Sequence, residues 1–417
     1  MLYLAIVYFL LVSFLAWKNF RWALGILIIA LPAYLVRFNI GPLPTTLLEV
    51  TFGALFLIWL VKYSRTDGKI IKESVKIHQL FFVFLALFFT ASIAGIFISD
   101  MWWASLGQWR AYFLEPILLF FVLLGREKSL EKKDLVWFLL LSSISVSLLA
   151  IIQKITGQLY PPSLWDDQLF GRVTSFFTTP NAVGLYLVPV VIMTASFFAR
   201  SITTKQSFGR SEIASSGFAL LAMTLLALCA IFLSFSQGTW IALGAGIICF
   251  AFLIGYKKIA VAVALIGIIA ALVMPQVRSA VLFQDQAGQN RLTLWKHSWT
   301  YLTKSPQNFI FGAGIRQYFR KVEKPYYNPQ ELERLIYPHN IFLNFWTEIG
   351  LLGLIGFIGL MVCGFRMVWQ KKKDNKILAA SLISALVVIM VHGVVDVPYF
   401  KNDLSMIFWI IMSLVIV

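Results

Sequence analysis

Long apolar runs, broken at short intervals by lysine and arginine, decide what this chain can fold into. They lie near residues 2–17, 22–36, 46–62, 79–99, 110–125, 135–153, 181–199, 217–235, 239–255, 258–274, 340–368, 377–397 and 404–417. Most approach the roughly 20 residues that a helix needs to cross a hydrocarbon core. Lipid offers no hydrogen-bond partner, so a spanning segment must satisfy its own backbone groups, and a helix does so. Of the 417 residues, 59% are hydrophobic and 13% charged, against about a quarter charged in a soluble domain. The expected fold is therefore all-α, a polytopic transmembrane helical bundle of about 12–13 spans. The first two runs are short, and Pro32 lies inside the second, where a kink is tolerable in a membrane. The expected division is 1–274, N-terminal transmembrane helices; 275–338, one large external loop with an interfacial helix; and 339–417, C-terminal transmembrane helices.

Orientation follows from the basic residues. The connectors at 62–78, 126–134, 200–212, 256–258 and 366–376 hold most of them, for example Lys69, Lys72 and Lys76, or Lys371, Lys372 and Lys373. Those connectors are expected on the cytoplasmic side. The net charge of +16 is then mostly topology. A nucleic-acid surface would cluster basic and aromatic residues on one soluble face, and no such stripe is present. Cys229, Cys249 and Cys363 sit inside apolar runs with no zinc or disulfide spacing, and four histidines are too scattered for a metal cluster. The run from Met1 to Trp17 lacks a basic n-region and a cleavage motif, so it reads as a retained span.

Two connectors expected outside are long enough to hold a site, Gln153 to Pro180 and Pro275 to Pro338. The second carries nine basic residues and four acidic ones. A net positive lobe beside a membrane suggests an anionic partner such as a phosphate or diphosphate on a lipid carrier; plain solubility with headgroup contact explains the charge equally well. Within it, Asn290 to Lys304 reads as a helix capped by Asn290, with Leu292, Trp295, Trp299 and Leu302 on one stripe and Arg291, Lys296 and His297 off it. Such a helix would lie flat at the interface. The glycines of Phe311-Gly312-Ala313-Gly314 permit a tight turn whose amides could approach an oxyanion.

Ionisable residues in or beside spans are costly and therefore informative. His339 and Asn340 follow Pro338 at the start of one span, and Glu348 lies further in. His392 and Asp396 are four apart and so share a helix face. Lys401 and Asp403 open the last span, and Arg110 and Glu115 flank the fifth. Each has a plain structural reading: a helix cap for His339, an interhelical hydrogen bond for His392 with Asp396, a neighbouring partner for Glu348. Gly350, Gly353, Gly356 and Gly359 read as close helix packing.

Taken together, several stretches carry a resemblance. They are Asn290-Arg291-Leu292-Thr293-Leu294-Trp295-Lys296, Ser305-Pro306, Phe311-Gly312-Ala313-Gly314, Pro338-His339-Asn340-Ile341-Phe342-Leu343 and Glu348-Ile349-Gly350-Leu351-Leu352-Gly353. Their order resembles the O-antigen ligase and polymerase family. Arg172 to Gly184, with Phe176 and Pro180-Asn181, is similar to that family's Arg…Gly-Thr-Phe…Pro-Asn segment, and His392 to Asp396 to its C-terminal His-Xaa-Xaa-Xaa-Asp. The resemblance covers roughly 150–417 by motif and the rest by hydropathy.

It implies a glycosyltransferase at the outer face of a bacterial cytoplasmic membrane. The family moves or polymerises glycans carried on polyprenyl diphosphate onto a glycan or lipid acceptor, with no cofactor and, for the ligases, no metal. Arginines then stabilise the departing diphosphate and a histidine serves as base. By resemblance Arg291 holds the diphosphate, His339 activates the acceptor or helps bind the diphosphate, and Asn340 orients it. Arg172, Asn181, Gln237, Arg316, Glu348, His392 and Asp396 are the further candidate substrate contacts. One departure stands out. Where the family commonly has Ser-Arg-Gly, this chain has Ser236-Gln237-Gly238. Gln237 can hydrogen-bond a phosphate but cannot neutralise it, so Arg172 or Arg316 is expected to supply the charge, or else donor or activity differs. The rivals are a repeat-unit polymerase within the family, a lipid-linked glycan transporter, which would show internal repeats and broken mid-membrane helices, and a non-catalytic scaffold.

Overall fold

The computed structural model describes residues 2–41, 43–161, 171–203, 210–327 and 335–417, with side chains throughout except at residues 2 and 195–219. Every apolar run carries helix. In chain order the elements are α1 (Leu2–Lys18), α2 (Phe20–Ile29), β1 (Arg37–Ile40), β2 (Leu43–Thr46), α3 (Leu47–Lys62), α4 (Ser64–Ile77), α5 (Gln79–Ile98), α6 (Trp102–Trp109), α7 (Glu115–Gly125) and α8 (Lys132–Thr156). There follow α9 (Pro180–Thr203), α10 (Arg210–Leu233), α11 (Gln237–Ile254), α12 (Lys257–Val273), α13 (Pro275–Val281), α14 (Gln286–Thr303), α15 (Pro306–Phe311), α16 (Ile341–Lys371), α17 (Lys376–Val395) and α18 (Asn402–Ile416). The strands form one small antiparallel hairpin.

Among the described residues six helical stretches are long and apolar enough to cross a membrane: α5, Trp102–Gly125, α8, α11, α16 and α17. The second of these runs from α6 through a π turn at Arg110–Leu114 into α7. Two bent pairs bring the number to 8: α3 with α4, at 92°, and α12 with the helices that follow it, at 102°. The remaining apolar helices are shorter. At ten residues, α2 rises only about 15 Å, half the hydrocarbon thickness. Pro32 does not kink it, but sits in the 3-10 turn Leu31–Leu35 that ends it.

Four of the five basic connectors gather at one end of the bundle; the side chains of 200–212 lie outside the described residues. Arg126 lies 3.7 Å from Asp67 of α4. Lys376 Nζ donates to Ile254 O at 2.8 Å, and Lys371 Nζ to Val415 O at the end of α18 at 3.1 Å. At the middle, α18 is buried along its whole length. Its Trp409 packs against Phe120 and Phe408, as expected of a helix apolar on all sides. The glycine spacing on α16 works as close packing at Gly356 and Gly359, where a Cβ would lie 2.8 Å from Phe88 N and 2.2 Å from the Phe84 ring. Gly350 does something else. With φ 74° and ψ 179° it breaks α16 in two.

The 275–327 stretch corrects three expectations. Asp285, not Asn290, caps α14, taking the Gly288 N–H at 2.9 Å. Asn290 is inside the helix and accepts from Gln286. The packed stripe is Leu294, Ser298 and Leu302, against Tyr318. Leu292 and Trp299 are exposed instead, because the buried face runs one position away from the aromatic one. In the glycine turn at 312–314 the first two amides are already taken, the Gly312 N–H by Asn308 O at 2.8 Å. Ala313 N–H donates to Thr347 O at 2.6 Å and Ile315 N–H to Gly95 O at 3.0 Å. Gly312 and Gly314, at φ 72° and 95°, let this backbone press on α16 and α5, where any Cβ would collide.

Candidate functional site

The last turn of α17 is the frame on which most candidate residues meet. The helix ends at Val395, and Asp396 leaves it in an extended conformation, its N–H still bonded to His392 O at 2.9 Å. The ending frees the Asp396 carboxylate from the helix face, so it does not simply stack on His392 as the four-residue spacing predicts. Its Oδ1 lies 3.3 Å from His339 Nδ1, and its Oδ2 accepts from Asn181 Nδ2 at 3.3 Å. Asn181, in the first turn of α9, accepts in turn from Arg172 at 3.3 Å. Arg172 Nε donates to Ser234 O at 2.9 Å, beside the turn that carries Gln237. Donation therefore converges on Asp396, from Arg172 through Asn181 on one side and from His339 on the other.

His339 is held from both sides. Trp295 Nε1 on α14 donates to Pro338 O at 3.0 Å. Asn340 caps α16, its Oδ1 accepting from the Phe342 and Leu343 N–H groups at 3.0 Å each, while its Nδ2 donates to Val394 O at 3.0 Å. That leaves Asn340 one amide hydrogen for a ligand. His339 itself has φ 48°, a conformation uncommon for a residue with a side chain, and such strain concentrates at working sites. The Tyr337 ring stands edge-on to its imidazole with centroids 5.0 Å apart. The His339 side chain is 18% exposed and that of Asp396 6%.

Arg291 Nε donates to Val395 O at 2.9 Å, so it meets the same three-residue segment as Asn340 and His339. His392 is buried one turn below. A Cβ on Gly238 would lie 2.9 Å from Val395 and 3.8 Å from the His392 ring, which places the first turn of α11, with exposed Gln237, against the end of α17. Burial opposes charge on Asp396, but His339, His392 and Arg291 outweigh it and hold its carboxyl below the usual carboxylate range.

Arg172, Asn181, Gln237, Arg291, His339, Asn340, His392 and Asp396 thus form one constellation. Arg316 and Glu348 belong to a second one. Glu348 is buried on α16 beside the break at Gly350 and accepts from Gln108 Nε2 at 3.2 Å and from the Arg316 backbone N–H. The Arg316 side chain is exposed. Among the described residues no group of three or more His, Cys, Asp or Glu side chains is placed to hold a metal ion.

Residues 222–358 match the family model for O-Antigen ligase. That match, over about a third of the chain, supports the O-antigen ligase superfamily. The matched stretch contains the Gln237 turn, Arg291, Arg316, His339, Asn340 and Glu348. Arg172 and Asn181 precede it and His392 and Asp396 follow it, yet the fold carries all four to the same place. No curated protein matches the chain.

One contact of the site has no signal in the sequence, and one cation is marked there only by position. The His339–Asp396 pair joins residues 57 positions apart, and no local spacing signals it. Lys401 is a further cation. It acts electrostatically on Asp396 and Asp403, stands 5.6 Å from the Phe177 ring centroid, and is pulled below the usual lysine range by burial. Its place at the start of the last apolar run is what marks it in the sequence.

Proposed function

We propose that this chain transfers a glycan from a polyprenyl-diphosphate carrier to a hydroxyl acceptor, as a ligase-type membrane glycosyltransferase. The observation that carries this reading is the His339 Nδ1–Asp396 pair set among Arg172, Arg291 and Lys401. A carboxylate on one imidazole nitrogen fixes the tautomer and leaves Nε2 to face the reacting group. The surrounding cations complement a diphosphate.

In the proposed step the acceptor oxygen forms a bond to the anomeric carbon as the bond from that carbon to the diphosphate oxygen breaks. The acceptor proton passes to His339 Nε2, and polyprenyl diphosphate departs with the bonding electrons, its charge met by Arg291 and Arg172. Arg172 rather than Arg316 compensates for Gln237, because Arg172 is bonded to the turn that carries Gln237. The site lies at the ends of α16 and α17 opposite Lys371 and Lys376, which supports an outward-facing site under the positive-inside rule. A repeat-unit polymerase would use the same groups and differ in its acceptor.

Purified protein incubated with a defined polyprenyl-diphosphate glycan and candidate acceptors should release polyprenyl diphosphate and form the new glycosidic bond. Movement of the intact lipid-linked glycan across a vesicle bilayer, with no such release, would point to a transporter instead.

A further inference from the structure

The backbone that delivers Arg172 to the site is gripped by a side chain outside it. Gln153, in the last turn of α8, is 0% exposed. Its Oε1 accepts the Thr174 N–H at 3.1 Å and the Ser175 N–H at 2.7 Å. Its Nε2 donates to Ser175 O at 2.8 Å and to Leu159 O at 2.9 Å. A primary amide has two N–H donors and two acceptor lone pairs. All four are spent on main chain, and none remains for a ligand. Whatever Gln153 does for the site, it does through the segment it holds.

The grip falls where that segment most needs it. Residues 173–175 are buried and lie outside any helix or strand, while buried backbone groups require partners. The glutamine amide stands in for a neighbouring main chain. Ser175 has φ 55°, in the left-handed region that a residue with a side chain seldom enters. Gln153 bonds both its N–H and its C=O and so holds it there. Arg172 stands two residues before Thr174. It reaches Ser234 O at 2.9 Å and Asn181 Oδ1 at 3.3 Å, the second close to the limit of a hydrogen bond. Relaxation of Ser175 displaces the backbone that carries the guanidinium, and a small displacement breaks that second contact. Two further ties, Ser175 Oγ to Val146 O at 2.7 Å and Val173 N–H to Leu233 O at 3.3 Å, do not pass through Gln153 and keep the segment attached without it.

We propose that Gln153 is a positioning residue that sets where Arg172 stands, and thereby how tightly the diphosphate of the donor is held. The role of Arg172 in this rests on the transferase reading. The probe is unglycosylated polyprenyl diphosphate, its Kd measured for the detergent-solubilised full chain by isothermal titration calorimetry. Gln153→Asn keeps the amide and shortens its reach by one methylene. Gln153→Met keeps the length and removes the amide. Each should raise Kd about tenfold, the scale of one hydrogen bond to a charged group, and speed amide hydrogen exchange at Thr174 and Ser175. Gln153→Asn carries the test where the methionine variant fails to fold. A residue that only stabilised the fold would lower the melting temperature and leave Kd alone. A double-mutant cycle decides the matter. Arg172→Ala should itself weaken binding, and adding Gln153→Asn to it should weaken binding no further, because nothing is then left to place. Unchanged Kd in the folded Gln153 variants, a loss that adds in full to that of Arg172→Ala, no loss in Arg172→Ala, or no binding by the wild type each overturns the proposal. Transfer is scored separately, as release of polyprenyl diphosphate from a lipid-linked glycan. Binding without release sinks the transfer reading, and the cycle still decides the role of Gln153.

Discussion

Asp396→Asn tests the site more sharply than removal of any side chain. The hydrogen bonds here each have a direction: Arg172 donates to Asn181 Oδ1, Asn181 Nδ2 donates to Asp396 Oδ2, and Asp396 Oδ1 takes His339 Nδ1. A carboxylate accepts at both oxygens; an amide cannot. The substitution therefore sets an N–H against either Asn181 or His339, and turning Asn181 over only moves the conflict to Arg172. The His339 contact of 3.3 Å is long for a charge-assisted bond. Its loss is then worth about 1.5 kcal/mol, the lower end of the range for bonds to charged groups, or roughly a tenfold fall in transfer rate. The assay is initial-rate release of polyprenyl diphosphate. The compensating variant is Asn181→Asp together with Asp396→Asn. The new carboxylate at 181 accepts from Arg172 and from the new amide at 396, whose carbonyl is then free for His339. The pair should recover part of what Asp396→Asn loses. Near wild-type transfer in the single variant, or no recovery in the pair, would refute the orienting role of Asp396. The sign of its pH dependence is also fixed. The folded carboxyl lies below its usual range, so its contribution to stability is complete above about pH 4, the unfolded value, and is lost only as pH falls below that towards the folded value. Acid unfolding of Asp396→Asn should therefore lack this component, while at neutral pH the variant should be less stable than the wild type.

The remaining predictions concern single features. His339→Ala should cut transfer by about 10²-fold or more, the lower bound for general-base catalysis, and His339→Gln should be equally impaired; near wild-type transfer with glutamine would make the residue a binding group. Arg172→Ala should lose transfer and regain part of it with Gln237→Arg, measured as donor KM, while Arg316→Ala should change little; the opposite ranking would move the compensating charge to the Arg316 cluster. Gly350→Ala should lower thermal stability by about 1–3 kcal/mol or more, since φ 74° with ψ 179° suits glycine alone and the new Cβ would lie 2.4 Å from Ile310 O; an unchanged melting temperature would contradict the break in α16. Cysteines placed at Gln286 and Lys372, with the native cysteines removed, should label from opposite sides of the membrane, and labelling of position 372 from outside would invert the orientation.

What could be read from the sequence is what short-range physics writes there. Hydropathy fixes where helices must lie, because lipid tolerates little else, and the basic connectors fix which ends gather together. Residue types that a membrane penalises mark His339, Glu348, His392 and Asp396 without saying what they touch. Asn290 is the residue that the sequence marks as the cap of α14, because asparagine is a good cap. Asp285 caps the helix instead, because the chain turns five residues earlier, around a close approach of Gly288 to Phe283. The glycines at 312 and 314 looked like an anion cradle, since a bare backbone is what a cradle needs. The same bareness lets two backbones touch, and only the tertiary fold tells the two apart. Gly350 stands in a periodic glycine row of which Gly356 and Gly359 do pack against α5.

The His339–Asp396 contact shows where the boundary lies. Each residue is marked by its own local cost, one by a left-handed backbone beside a proline, the other by a carboxylate at the end of an apolar helix. Their pairing depends on α16 starting where α17 ends, an antiparallel match set by helix length and by the Asn340 cross-link to Val394. A shift of α17 by one residue along its axis, about 1.5 Å, would lengthen the 3.3 Å contact beyond hydrogen-bond range. The chemistry is therefore only as well placed as the helix packing beneath it. That packing rests on contacts such as Gly393 against Ile341, where a Cβ would come within 2.5 Å. Enlarging Gly393, which touches no substrate in this reading, should for that reason damage transfer as much as altering Asp396 does.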